Sequence, residues 1–337
     1  MSELTDPTSG FVIPEAWIRR CALPSAEVKR RITSGLYALT ASGAFFRRGL
    51  TTGTVASAAA KAAVLSLSHS VSDVSILTPV GIRVTVAVKA SNGRATAQKT
   101  KSDYADDVTE QVIFEADAVE ADKLQLCIGH GIGVVKKHGL RVLFGRPAVN
   151  PEARESIHRA IKEAVRDTSL RGALVQLSAV NGKQVSEKTL NQKVGVIGGI
   201  SILGTTGFVE PWSEGLLESA EDLVLHADKI VLTTGRTGLR YAKMYFPHHT
   251  AVLAGSNLSR IFKKAQGKDV IIFGLPALIL KWGCPDILQK TSASTVQQLF
   301  DKDPYGKEID ATLALLKQRT NARIIIINRN GEIVRDI

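Results

Sequence analysis

A chain of 337 residues with 44% hydrophobic content is long enough for two cores, and 43 Lys and Arg against 32 Asp and Glu leave a formal charge of +11. That excess suits an anionic partner: nucleic acid, an acidic membrane surface or a polycarboxylate ligand. Cys21, Cys127 and Cys284 stand far apart with no C-x-x-C pair, which argues against a disulfide framework and a thiolate zinc site; the longest apolar stretch, Val270 to Leu280, is too short for a bilayer, and no signal peptide is legible, so a cytoplasmic protein is expected.

Up to about Thr40 the chain reads as irregular or weakly helical. Thr51 to Leu67, TTGTVASAAAKAAVLSL, is alanine-rich and helix-forming, with Thr51 or Thr52 placed to cap it. Val- and Ile-rich segments follow at Val74 to Leu77, Ile82 to Val88 and Arg94 to Thr100, the last two joined by the hairpin signal Asn92-Gly93. After an apolar segment at Gln111 to Phe114, Asn150 precedes Pro151 at a helix start, and Ile157, Ile161, Ala164 and Val165 make one apolar face. Leu174 to Leu177 reads as a buried strand.

From about Asp228 the rhythm becomes strand (Ile230 to Leu232), helix (Leu239 to Tyr245), strand (Ala251 to Leu253), helix (Leu258 to Ala265) and strand (Val270 to Phe273). Two more helical stretches and a last strand, Ala322 to Asn328, complete it. The expected fold class is therefore α/β in two domains: residues 1–225 an N-terminal mixed α+β domain, and 226–337 a C-terminal three-layer, Rossmann-like α/β domain with a largely parallel sheet.

Thr-Thr-Gly occurs at Thr51, Thr205 and Thr233, each time where one element gives way to the next. Hydroxyls, backbone N–H groups and a residue without Cβ can make anion cradles. The Thr205 copy lies in the glycine-dense segment Gly195 to Glu214, which is not a G-x-G-x-x-G fingerprint and reads equally as tight backbone crossings. Glycines at every second position in Gly129-His130-Gly131-Ile132-Gly133 remove side chains from one face of an extended segment, leaving room for a flat ligand. His130 and His138 lack carboxylate company and are a weak metal signal.

Asp103, Asp106 and Asp107 form an acidic segment suited to proton transfer or to holding a cation, or to a plain polar turn. Arginines are dispersed and only 5% of residues are aromatic, which suits a polycarboxylate better than RNA or DNA. No hydrolase, P-loop or zinc-protease motif is present.

Five segments in order, RGLTTGTVASAAAKAAV (Arg48 to Val64), DDVT (Asp106 to Thr109), GHGIGVVKKHGL (Gly129 to Leu140), GRPAVNPEARESI (Gly145 to Ile157) and GGISILGTTGFVEPWSE (Gly198 to Glu214), are similar to the signature segments of the CbiD family, the cobalt-precorrin-5B C(1)-methyltransferases of anaerobic cobalamin biosynthesis. The resemblance implies methyl transfer from S-adenosylmethionine to C-1 of cobalt-precorrin-5B, giving cobalt-precorrin-6A. Cobalt would arrive inside the substrate, with no metal held by the protein. It implies a donor site at Gly198, Gly199, Ser201, Gly204, Thr205, Thr206, Gly207 and Glu210, to which the strand-end position of Thr234 and Gly235 adds a second stretch. Arg48, Thr51, Thr52, Gly53, Thr54, Lys61, His130, Gly131, Gly133, Lys136, Asn150 and Arg154 are the substrate-binding candidates, and Asp103, Asp106 and Asp107 the catalytic ones. A homodimer is a possible assembly; membrane and nucleic acid are not expected partners.

Three departures stand out. Val55 replaces a usual small residue or cysteine, the acidic block lacks a proline, and Gly274-Leu275-Pro276-Ala277-Leu278 stands where the family often has G-H-I-G-K. The last keeps open a diverged paralogue acting on another tetrapyrrole.

Overall fold

Strict alternation of buried and exposed residues builds the first sheet. In Arg83–Ser91, Val84, Val86, Val88 and Ala90 face the core while Arg83, Thr85, Ala87, Lys89 and Ser91 face solvent. The computed structural model describes residues 4–103, 107–137, 140–209, 220–289 and 291–337, apart from the side chains of Asp222 and Ser256. The chain is a mixed α/β protein in two compact units, one of Arg30–Ala38 and Phe46–Leu216, the other of Met1–Lys29, Leu39–Phe45 and Leu217–Ile337.

In the unit centred on Phe46–Leu216, a six-stranded sheet runs in the order Val71–Leu77, Arg83–Ser91, Arg94–Gln98, Ile113–Glu120, Ala173–Ala179, Gln125–Ile128. Neighbours pair antiparallel except the last two, which are parallel. The hairpin closes where expected, with Asn92 at φ 50° and Gly93 at φ 78°, the left-handed pair a type I′ turn requires. The short strand Gln125–Ile128 was not foreseen; it has only four residues and alternates weakly.

One face of this sheet carries the helix Thr52–Leu65, whose residues Thr52 to Val64 are all buried. The helix Pro151–Asp167 packs along it. A helix hydrophobic on every side belongs in an interior, and alanine keeps it thin enough to lie between sheet and second helix. Where the two meet, a Cβ on Gly53 would sit 2.8 Å from that of Ala153. Both helices start as expected: the Thr51 hydroxyl accepts from Thr54 N, and Asn150 Oδ1 accepts from Ala153 N at 2.9 Å, each cap contributing about 1 kcal/mol.

The second unit holds a five-stranded sheet ordered Thr250–Leu253, Lys229–Thr233, Asp269–Gly274, Arg323–Ile327, Ile333–Asp336, parallel but for the last strand. Ile324 to Ile327 are all fully buried, so both faces of this sheet are covered. Helices Leu258–Lys264, Pro276–Gly283 and Lys307–Thr320 share a core with Ile230, Ile272 and Ile324. On the other face lies the helix Arg236–Tyr245, where Tyr245 packs 5.8 Å from Phe273.

Neither unit is one contiguous stretch of chain. Phe11 and Trp17, both buried, pack against Tyr241 and Tyr245 at centroid distances of 5.0–5.4 Å and tie the opening segment to the C-terminal one. Among the described residues, no helix is long and apolar enough to cross a membrane.

A charge cluster, buried at Lys61 and Glu163 and open at Arg83, braces the two helices of the first unit. Lys61 Nζ donates to Glu163 Oε2 at 2.6 Å and to the Ser75 carbonyl at 3.0 Å, while Arg83 grips Glu163 Oε1 at 2.9 Å. The Arg83 hydrogen bond, helped by Lys61 and opposed by burial, holds the Glu163 carboxyl at about 2, below its ordinary 4.5. A lowered folded-state value means the stabilisation is complete above the ordinary carboxylate range and is lost as pH falls through about 2. Glu163→Gln should therefore be less stable than the parent at neutral pH, with the difference closing as pH falls; urea unfolding at several pH values checks this.

Candidate functional site

The first two Thr-Thr-Gly segments meet. Thr52 Oγ1 donates to the Ser201 and Leu203 carbonyls at 3.2 and 3.3 Å and accepts from Leu203 N at 2.8 Å. Gly53 N donates to the Leu203 carbonyl, Thr51 N to the Gly207 carbonyl, and Thr54 Oγ1 to that same Gly207 carbonyl at 2.9 Å. Gly204 is required here, since a Cβ would lie 2.5 Å from Thr51 Oγ1. The N–H groups of Gly53 and Thr54 are thus spent on the chain itself, which corrects the expectation of an anion cradle at this helix start.

The flat-ligand expectation for the glycines after Ile128 is also corrected. A Cβ on Gly129 would overlap Ser178 Oγ, one on Gly131 the Ala179 carbonyl, and one on Gly133 the Val196 side chain. Protein atoms fill the space the missing side chains vacate. Short pairings complete the weave: Val134–Val135 with Val196–Ile197, Phe208–Val209 with Gly49–Leu50, and bridges from Ile132 to Ile200 and Val149 to Ile202.

Around this weave lies a cavity of about 740 Å³. Thr51, Thr52, Gly204 and Thr205 line one side, with Asn150 and Ser201; aliphatic side chains form most of the rest. At its wall Lys99, whose side chain is fully buried, forms an ion pair with Asp107 and donates to Thr109 Oγ1 at 2.8 Å. Asp107 Oδ1 accepts from Thr109 N and Oγ1 at 3.1 and 2.6 Å. Burial pushes the Lys99 ammonium below its usual value, while Asp107, and then Glu110, pull it back up.

Of the acidic candidates, Asp107 stands at the cavity, both oxygens engaged. Asp103 is exposed and fastens backbone: its Oδ2 accepts from Arg47 N at 2.6 Å. Asp106, Glu210 and His138 lie outside the described residues. Arg48 is buried with its guanidinium donating to the Gly35 and Tyr37 carbonyls, Lys61 belongs to the helix brace, and neither lines the cavity. His130 and Lys136 are exposed, Arg154 is half-buried, and none of the three lines it. Gly198, at φ 86°, is exposed and open on its Cβ side, whereas Gly199 abuts Gly131. Thr206 Oγ1 closes its own turn onto Phe208, and Gly207, at φ 91°, presses on Thr78.

Sequence reasoning missed Lys99, although the signal was there: it continues the buried parity of Ala95 and Ala97. It also missed Asn191, whose amide donates to the Gly199 carbonyl and whose Oδ1 accepts from Ser201 Oγ at 3.2 Å.

Thr234 and Gly235 belong to the other unit, at the carboxyl end of Lys229–Thr233. From this strand the chain crosses to Thr250–Leu253 on one side; from its neighbour Asp269–Gly274 it crosses to Arg323–Ile327 on the other. The strand order reverses between these two ends, the usual ligand edge of an open parallel sheet. A Cβ on Gly274 would come within 3.1 Å of Thr234 Oγ1, so the third Thr-Thr-Gly and the start of the Gly274–Leu278 segment are side by side. A Cβ on Gly235 would meet nothing within 4 Å.

Residues 40–211 match the CbiD family model. The chain is 44% identical to the cobalt-precorrin-5B C(1)-methyltransferase of Methanosarcina acetivorans, covering 99% of this chain and 98% of that one. It is 47% identical to the protein of the same name from Methanospirillum hungatei, covering 99% of each. A crystal structure of the cobalamin biosynthesis protein cbiD from Archaeoglobus fulgidus matches with a TM-score of 0.57 at 34% identity, over 96% of this chain and 100% of that one. The chain belongs to the CbiD family.

Three variants test the wall and the weave. Lys99→Met should cost roughly 3 kcal/mol by stranding a buried Asp107, and Lys99→Met with Asp107→Leu should cost much less, as read by chemical denaturation. Gly131→Ala, at φ 73° with no room for a Cβ, should lose roughly 3 kcal/mol in the same assay.

Proposed function

We propose that this chain transfers a methyl group from S-adenosylmethionine to C-1 of cobalt-precorrin-5B, giving cobalt-precorrin-6A and S-adenosylhomocysteine. The observation that carries this reading is the convergence of the family's blocks, Thr51–Thr52, Asp107–Thr109, Asn150 and Ser201–Thr205, on one cavity in a chain related end to end to proteins of that name. The cobalt belongs to the substrate.

For the donor, the supporting geometry is the carboxyl edge of the parallel sheet. Thr234, Gly235 and Gly274 would hold it there, with open space beside Gly235 and a helix, Arg236–Tyr245, whose cap supplies no side-chain acceptor to its first N–H groups. This treats the second unit as a Rossmann-like domain. When bound, the donor supplies an electrophilic methyl group; the protein's part is to align it with the ring carbon and exclude water. Asp107 fits a fixed charge holding Lys99 better than a base, because accepting a proton would break its ion pair. A homodimer and a cytoplasmic location complete the proposal.

The divergent Gly274–Leu278 segment favours one second reading, action on a related tetrapyrrole, because Pro276 opens a helix where the family often has histidine and lysine nearby. Purified protein incubated anaerobically with cobalt-precorrin-5B and methyl-labelled S-adenosylmethionine should place label on the macrocycle. No transfer to this precursor, with transfer to a metal-free one, would favour the second reading; no transfer to either would end both.

A further inference from the structure

Aliphatic side chains that solvent should disfavour are gathered around the cavity of the first unit. Leu140 and Leu190 are each 37% exposed, Val194 40% and Leu203 53%, and all four line that cavity. The exposed chains continue in the adjoining sequence at Leu143, Phe144 and Ile197. Isolated exposed leucines are ordinary; a set converging on one concave site marks a surface that a ligand covers. Two cations accompany it: Lys99 in the wall and Arg141, 63% exposed and paired with Glu152 at 2.6 Å.

Building on the proposed methyltransferase activity, we infer that this cavity is the seat of the tetrapyrrole and not of the methyl donor, with Leu140, Leu190, Val194 and Leu203 as specificity residues against its ring face. A ring of mostly carbon presenting carboxylates at its edge matches an aliphatic rim with a cation beside it. A nucleoside sulfonium matches it poorly, because a ribose and an amino acid head need convergent polar groups, and here most of those groups are engaged. Asp107 is held by Lys99 and Thr109, Asn150 caps a helix, and Ser201 is tied to Asn191. Ser201, Gly204 and Thr205 thereby become substrate contacts, leaving Thr234 and Gly235 to the donor.

The test uses full-length protein and two rim variants at exposed side chains, Leu203→Glu and Val194→Glu, each first checked for an intact fold by circular dichroism. Kinetics with cobalt-precorrin-5B and S-adenosylmethionine should give at least about a tenfold rise in KM for the precursor, from lost apolar contact and added like charge, with KM for the donor unchanged. A rise in the donor KM instead, or no change in either, overturns the assignment. A second measurement needs no turnover: uroporphyrin III, an octacarboxylate tetrapyrrole, should quench on binding the parent and bind both variants at least about tenfold more weakly. Failure of the parent to bind it, or equal binding by the variants, also overturns the assignment. Absence of methyl transfer by the parent with binding intact would instead remove the methyltransferase reading and leave the tetrapyrrole seat standing.

Discussion

Everything around the cavity depends on one buried hydroxyl. Thr52 opens a helix that has no solvent-facing side, so its first turn must find acceptors and donors inside the protein. Its Oγ1 supplies both to the Ser201–Leu203 backbone. An unpaired polar group at that depth costs as much as several methyl groups gain, so the helix fixes where the glycine-rich segment runs, and that segment in turn forms a cavity wall.

Burial also explains why two glycine clusters lie so close in space. Gly131, Gly199 and Gly182 press together because three backbone segments cross there: the Gly131 carbonyl lies where a Cβ on Gly182 or Gly199 would sit, and the Ala179 carbonyl where one on Gly131 would. Such a crossing leaves no room for a side chain at any of the three positions.

Local chemistry made parts of the fold legible. Thr51 and Asn150 announce helix starts because a cap acts within three residues, and Asn92-Gly93 announces a hairpin because two left-handed residues in a row admit little else. The strand Gln125–Ile128 escaped notice because its partner, Ala173–Ala179, is distant in sequence, and Ile333–Asp336 because an edge strand needs little apolar content. Around the cavity, residue type alone does not tell a lining residue from a structural one. Arg48 and Lys61 look like ligands for carboxylates, yet both satisfy the interior; Lys99, hidden by the parity of its strand, stands at the cavity.

The Thr52 hydroxyl and its partners are separated by about 150 residues of chain. At roughly 5–20 residues per second of synthesis, an emerging polypeptide waits on the order of ten to thirty seconds between making the alanine-rich helix and making the segment that seals its first turn. For that interval an apolar helix has an open end and no partner segment to close it. The interlock that holds the finished cavity wall therefore also sets one long wait for the nascent chain, during which the helix lacks its partner.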